Sequence, residues 1–120
     1  MAAIPRILIV DDEPQIRTFL LVTFENAGYA VKTAGSGRDA IAICAAEPFD
    51  LVLSDVTMPE MNGHQLVRWV AAHYPATRTA LMSGFDAGCE KCSYSPRCRF
   101  IAKPFPPKRI VSFVEQVLAA

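Results

Sequence analysis

Short apolar segments alternate with longer amphipathic segments along the chain. The short segments contain many β-branched residues and are too short for ordinary helices, so each is typical of a buried strand. They are RILIV (6–10), AVKTA (30–34), DLVLS (50–54), RTALM (78–82) and RFIA (99–102). The pattern therefore predicts five strands.

Four of the longer segments repeat apolar residues at steps of three and four positions, which is the pattern of a helix with one buried face. Gly28 is a helix stop signal after the first of them, and Ser36 with Asp39 forms a capping pattern that opens the second. The predicted buried faces are Ile16, Phe19, Leu20, Thr23, Phe24 and Ala27; Ala40, Ile41, Cys44 and Ala45; Leu66, Val67 and Val70; and Ile110, Phe113, Val114, Val117 and Leu118.

Strands that alternate with helices pair in parallel through right-handed crossovers, so helices cover both faces of the sheet. With 120 residues, the chain is expected to form one domain, residues 1–120, of the doubly wound α/β class. Residues 84–98, GFDAGCEKCSYSPRC, occupy the place of a fourth helix but contain two glycines and a proline. We expect an irregular or shortened fourth helix in this segment.

Composition excludes several classes of protein. Twelve basic and twelve acidic residues cancel, so no charge excess favours a nucleic-acid or membrane surface as partner. A hydrophobic fraction of 52% is typical of a packed domain and not of a disordered chain. No apolar run approaches the roughly 18 residues of a membrane span, and the start of the chain lacks the features of a signal peptide. We therefore expect a cytoplasmic protein that binds neither nucleic acid nor membranes directly.

Polar residues follow four of the predicted strands. Asp11 and Asp12 end the first, Asp55 the third, Ser83 the fourth and Lys103 the fifth. Ligands of open α/β sheets bind at the carboxyl ends of the strands, so these residues are expected to meet at one edge. Three close carboxylates repel one another unless a cation such as Mg²⁺ lies among them. With a lysine opposite, such a cluster can accept a phosphoryl group on one of its carboxylates.

Four motifs carry these residues in a fixed order: LIVDDEP, LVLSDVTMPEMNG, LMSG and FIAKPF. Together they resemble the receiver domain of two-component response regulators along nearly the whole chain. The resemblance implies a flavodoxin-like five-stranded parallel sheet of order 2-1-3-4-5. It also implies that Asp55 is the phosphoacceptor and that Lys103 contacts the phosphoryl group. Mg²⁺ would be held by Asp12 and Asp55 directly, by the backbone carbonyl of Thr57, and by Asp11 largely through water.

The resemblance further implies a signalling role. Ser83 and Phe100 match the switch pair of the family, which rearranges on phosphorylation, and Lys103 with Pro104 matches its cis peptide bond. The expected partner is a sensor histidine kinase or a phosphotransfer protein. The domain would be no enzyme beyond assisting its own phosphorylation and dephosphorylation. No DNA-binding motif follows Ala120, so a stand-alone receiver and a domain of a longer regulator both fit the sequence.

Two other functions also match parts of the sequence. The stretch around Asp55 also resembles the nucleophile strand of haloacid-dehalogenase-like phosphatases, but that chemistry needs a second aspartate where Thr57 stands. The alternative is an interaction module, or a metal or redox sensor, that works without phosphorylation and signals through its cysteines. The complete set of acceptor residues favours the receiver function over both.

The cysteines Cys89, Cys92 and Cys98 lie within ten residues of one another. The spacing of the first two suits a shared metal, with Zn²⁺ the natural candidate, and the third could be another ligand, although a fourth ligand is not evident. Reduced thiols in an irregular loop, and a disulfide or redox pair, are the alternatives. Cys44 is expected to be a small core residue instead.

Overall fold

The computed structural model describes residues 4–84 and 99–119. Within them, five strands form one parallel sheet of order β2-β1-β3-β4-β5, which confirms the predicted fold and strand order. The strands are β1 (Arg6–Val10), β2 (Ala30–Ala34), β3 (Leu51–Asp55), β4 (Arg78–Ser83) and β5 (Phe100–Ala102). The expected irregular fourth helix lies outside the described residues, and so do Cys89, Cys92 and Cys98.

Four helices are present in the described part of the chain: α1 (Pro14–Asn26), α2 (Gly37–Ala46), α3 (Gly63–His73) and α4 (Pro107–Ala119). Their ends follow from local chemistry. Pro14 opens α1, where its missing N–H costs no hydrogen bond. Ser36 caps α2 by accepting a hydrogen bond from the Asp39 N–H, as predicted. Gly28 follows α1 with a φ of 98°, a conformation that few residues other than glycine adopt.

The helices form a layer on each face of the sheet, and the period-two alternation of strand residues decides what each layer contacts. Ile7 and Ile9 of β1 point to the layer of α1 and α4, where they pack in a cluster with Phe24 and Ile110. Because Phe24 and Ile110 are fully buried, this cluster anchors both helices to the sheet.

The other face of the sheet carries Leu8 and Val10, which pack in a cluster with Cys44 of α2 and Leu66 of α3. Cys44 is a buried core residue, as expected. The predictions for Ala45 on α2 and for Ala27, which follows α1 as its C-cap, were wrong, because both residues are exposed. No helix in residues 4–84 and 99–119 has the length and apolar character needed to cross a membrane.

Candidate functional site

The carboxyl ends of the strands bring together the residues that the sequence placed there. Asp55 is the last residue of β3, and Asp11 follows β1 directly. Together with Asp12 they form a group of three carboxylates, in which one oxygen of each residue lies within 4.8 Å of the others. Asp11 and Asp55 are buried, whereas Asp12 is exposed. The cluster is therefore buried on one side, at Asp11 and Asp55, and open to solvent on the other side, at Asp12.

Lys103, just after β5, reaches into this cluster. Its Nζ lies 3.1 Å from Asp11 Oδ2 and 3.4 Å from Asp55 Oδ1, and its side chain is 17% exposed. The chain is aligned here by a backbone hydrogen bond of 2.8 Å from the Lys103 N–H to the Ser83 carbonyl. The peptide bond between Lys103 and Pro104 is cis, as the resemblance implied.

The electrostatics of the cluster follow from burial and charge. Burial raises the pKa of the Asp55 carboxyl above its ordinary value; attraction to Lys103 opposes this rise, and the charges of Asp11 and Asp12 add to it. Burial alone would lower the pKa of Lys103, but hydrogen bonds and attraction from Asp11 and Asp55 outweigh it and raise that pKa. Lys103 is therefore a cation at neutral pH.

The donor set fits Mg²⁺. Three carboxylates and one ammonium carry two net negative charges, which one divalent cation would neutralise. One oxygen of each carboxylate lies within 4.8 Å of the others, so the three side chains are close enough to hold one cation together, with Asp11 acting largely through water. Hard oxygen donors of this kind suit Mg²⁺ better than softer metals.

The remaining predicted residues are Ser83, Thr57 and Phe100. Ser83 ends β4 and is buried, and Thr57 is exposed two residues after Asp55. Phe100 opens β5 and is partly buried against a small apolar cluster of Val56, Val67 and Leu81. In the pairing of β4 with β5, Phe100 is opposite Leu81 and Ser83 is opposite Ala102, so Phe100 lies two positions before the residue that pairs with Ser83.

Two residues that contact the site, Gly63 and Arg17, were not predicted from the sequence to have a role there. Gly63, at the start of α3, lies so close to Asp55 that a Cβ atom there would be 2.3 Å from the Asp55 carbonyl oxygen. Arg17, on α1, donates a hydrogen bond of 2.6 Å from Nη1 to the Asp11 carbonyl oxygen. The sequence signals for them were weak: a glycine eight positions after Asp55, and one cation a turn after the paired aspartates.

A family model described as the response regulator receiver domain matches residues 7–115 of the chain. The chain belongs to this family. The response regulator receiver protein CpdR of Brucella abortus (strain 2308) is 35% identical over 117 residues, which cover 96% of this chain and 98% of CpdR. The regulatory protein AtoC of Escherichia coli (strain K12) is 35% identical over 121 residues, 98% of this chain but 26% of AtoC. The receiver domain thus spans nearly all of one relative and about a quarter of the other.

Solved receiver structures agree with the fold. The chemotaxis protein CheY4 of Vibrio cholerae superposes with a TM-score of 0.88 at 31% identity, covering 96% of this chain and 99% of CheY4. The response regulator TrrA of Thermotoga maritima, in complex with Mg(2+)-BeF, has a TM-score of 0.85 at 25% identity, covering 95% of this chain and 99% of TrrA. Receiver domains bind Mg²⁺ at an acidic pocket, and the aspartate cluster described above is such a pocket.

Membership in this family confirms the resemblance drawn from the four motifs and the signalling class of the domain. Receiver domains are signalling domains that histidine kinases phosphorylate, and they are not generally catalytic enzymes. Neither the phosphatase alternative nor the phosphorylation-independent sensor is favoured, and nothing supports Zn²⁺ at Cys89, Cys92 and Cys98, which lie outside the described residues.

Proposed function

We propose that this receiver domain is a phosphorylation-dependent switch in which Asp55 accepts a phosphoryl group from the phosphohistidine of a sensor histidine kinase or phosphotransfer protein. The observation that carries the proposal is the contact of Lys103 Nζ with both Asp11 and Asp55, within a cluster of three carboxylates at one sheet edge. Family membership supports the same chemistry.

The metal that this chemistry requires would be held by Asp12 and Asp55, by the backbone carbonyl of Thr57, and by Asp11 largely through water. When bound, Mg²⁺ offsets the negative charge of the transferring phosphoryl oxygens. The exposed position of Asp12 and Thr57 leaves an open side from which a cation and a phosphodonor can enter.

In the transfer, a carboxylate oxygen of Asp55 attacks the phosphorus atom, and the bond between phosphorus and the donor imidazole nitrogen breaks. The electron pair of that bond stays with the imidazole, which takes up a proton, and Asp55 becomes an acyl phosphate. Lys103 can pair with the new phosphoryl oxygens, because its ammonium group is cationic and already 3.4 Å from Asp55 Oδ1. Ser83, at the end of the neighbouring strand, would donate a hydrogen bond to the phosphoryl group.

The switch would run through Ser83 and Phe100. Movement of the Ser83 hydroxyl toward the phosphoryl group would leave room for the partly buried Phe100 ring to turn inward. The face around β5 and α4 would then change shape and present a different surface to the downstream partner. We further propose that residues 1–120 act as one domain and that it works in the cytoplasm.

Incubation with a small phosphodonor such as phosphoramidate, with and without Mg²⁺, tests the proposal. Intact-mass measurement should show the addition of one phosphoryl group, dependent on Mg²⁺ and absent in Asp55→Asn. Asp39→Asn is a matched control, because it makes the same change at an exposed carboxylate in the first turn of α2. Labelling that persists in Asp55→Asn, or that never occurs in the wild-type protein, would refute the proposal. Turnover of a phosphoester would instead support a phosphatase.

A further inference from the structure

Asp11 is held at every one of its hydrogen-bonding groups. Its N–H donates to the Ala34 carbonyl at 3.1 Å, and its Oδ1 accepts from the Glu13 N–H at 2.9 Å. Its Oδ2 accepts from Lys103 Nζ at 3.1 Å, and its carbonyl oxygen accepts from Arg17 Nη1 at 2.6 Å. Because Asp11 is fully buried, these four contacts decide where its carboxylate points.

Arg17 differs from the other three partners. Two of those are backbone groups, and Lys103 is itself part of the proposed acceptor site. Arg17 comes from the first turns of α1, and a cationic donor at 2.6 Å makes a short, charge-assisted hydrogen bond to the Asp11 carbonyl. It can therefore be replaced without altering the carboxylates or the lysine that carry the chemistry.

The guanidinium of Arg17 also lies against the loop that follows β2. A Cβ atom on Gly35 would be 3.3 Å from Arg17 Nη1, which is tighter than most such contacts, and 3.7 Å from its Cζ, which is an ordinary contact. Gly35 directly follows Ala34, the residue that accepts the Asp11 N–H. The arginine is thus packed between the loop after β1 and the loop after β2, and the bare Gly35 backbone leaves room for it.

We propose that Arg17 is a positioning residue, which orients the Asp11 carboxylate toward Lys103 and Asp55 by fixing the Asp11 peptide group. The inference rests on the proposed function, in that Asp11 is taken to help bind Mg²⁺. Without this contact, the Asp11 carbonyl loses its donor and the peptide group can rotate, which turns the carboxylate away from the cluster. Hydrogen-bond partners of direct metal ligands typically change metal affinity about ten-fold to a hundred-fold when removed. Arg17 acts one step further away, through the Asp11 carbonyl, so the lower end of that range is expected.

The direction of the change in Mg²⁺ affinity distinguishes a positioning role of Arg17 from an effect of its charge alone. Arg17 is a cation near a cation site, so removing its charge alone would strengthen Mg²⁺ binding. If Arg17 positions Asp11, its removal weakens Mg²⁺ binding instead. We therefore expect Arg17→Met, which approximates the length of the side chain without its donors, to bind Mg²⁺ about ten-fold more weakly. Arg17→Lys, which keeps the charge and one donor group, should lie between Arg17→Met and the wild type.

The test measures Mg²⁺ affinity by titration calorimetry, together with hydrogen exchange of the Asp11 and Glu13 amides in metal-free protein. Exchange at both amides should be faster in Arg17→Met, whereas Arg78→Met, an equal charge change at the opposite edge of the sheet, should alter neither exchange nor affinity. Thermal unfolding establishes that each variant is folded. If Arg17→Met does not fold, Arg17→Lys decides the matter, since equal affinity in Arg17→Lys and the wild type would then contradict the proposed geometry.

Gly35→Ala gives an independent check, because the added methyl displaces the guanidinium by a few tenths of an ångström. It should weaken Mg²⁺ binding slightly in the wild type and not at all in Arg17→Ala, since coupled residues give non-additive effects. Folded Arg17→Met with unchanged or tighter Mg²⁺ binding would overturn this inference alone. Absence of phosphorylation at Asp55 in the wild-type protein would overturn the proposed function alone, because metal affinity is measured without a phosphodonor.

Discussion

Replacement of Gly63 by alanine should destabilise the domain and slow phosphorylation, because the added methyl group would displace the backbone of Asp55. Gly63 is the first residue of α3, and its N–H donates to the Val56 carbonyl at 2.8 Å. An added Cβ would be 2.3 Å from the Asp55 carbonyl oxygen and 2.9 Å from Leu81 Cδ2. The Asp55 carbonyl also accepts a hydrogen bond of 2.9 Å from the buried Ser54 hydroxyl. If the carbonyl moves away from the added methyl group, this hydrogen bond is weakened.

The magnitude follows from two opposing effects. Forcing a methyl group into a packed site costs about 1–3 kcal/mol, and alanine gains up to about 1 kcal/mol over glycine in a helix. Because the Cβ would meet a backbone oxygen, the cost falls in the upper part of its range, about 2–3 kcal/mol, and the net loss in the free energy of unfolding is about 1–2 kcal/mol. For a domain of this size that corresponds to a fall of roughly 4–8 °C in Tm. Because the obstructed atom belongs to Asp55, phosphorylation at Asp55 should also slow about ten-fold or more, since small displacements of reacting groups carry large rate costs.

Gly37→Ala is the matched control, because Gly37 is likewise the first residue of its helix, α2. The Cβ added there would meet the Met61 side chain, with Sδ at 2.7 Å, and not a backbone atom. Methionine is flexible and can repack, so this variant should be close to the wild type in Tm and in phosphorylation rate. The two measurements are thermal unfolding and the initial rate of labelling by phosphoramidate. Equal behaviour of the two variants would show that close packing against the Asp55 carbonyl does not govern the site.

Three further predictions concern the body of the domain. Phe24→Ala should lower the free energy of unfolding by about 3–5 kcal/mol in urea titrations, because it opens a cavity at a fully buried ring; a loss under 1 kcal/mol would contradict this. A hydrogen bond from Lys32 and the charges of Lys32 and Arg6 lower the pKa of Glu47 below its ordinary 4.5, so its stabilisation is present above that value and is lost as pH falls through the lowered pKa. The free energy of unfolding, measured as a function of pH, should therefore decline less steeply below neutral pH in Glu47→Gln than in the wild type. An equally steep decline in both proteins would argue against this. Burial raises the pKa of the Cys44 thiol, so in a Cys89, Cys92 and Cys98 to Ser background it should react slowly with iodoacetamide until urea is added; rapid native labelling would refute its burial.

Much of the fold could be predicted because two simple signals coincide. Short apolar and β-branched runs placed the strands to within one residue at each end. The clearest case is β1, because its four residues after Arg6 are apolar and buried, so no polar position blurs its limits. The helix faces were less certain where side chains are small. On α2, alanines give little contrast between buried and exposed positions, and Ala45 was assigned to the wrong face for that reason.

The position of the proposed acceptor residues was predictable for a different reason. In a parallel sheet, the ends of all strands lie at one edge, so residues far apart in sequence are brought together by topology alone. The topology of the sheet does not predict the contacts of Gly63 and Arg17, because both residues lie on helices. Their importance depends on contacts of Gly63 with the Asp55 carbonyl and of Arg17 with the Asp11 carbonyl, which are set by how α3 and α1 dock on the sheet. Sequence patterns predict that a helix packs, but not which backbone atom its first turns contact.

The three carboxylates also show what three-dimensional structure adds to a correct motif. In sequence they are equivalent side chains at strand ends, but their surroundings separate them. Asp11 is fully buried with both side-chain oxygens already accepting hydrogen bonds, and Asp12 is exposed to solvent. Asp55 is buried like Asp11, but its Oδ1 lies 3.4 Å from the Lys103 ammonium, and burial raises its pKa. The proposed acceptor role gives Asp55 a cation beside the carboxylate that would carry the new charge, whereas the proposed role of Asp11 calls for fixed oxygens. These surroundings are the ones that the proposed division of roles requires.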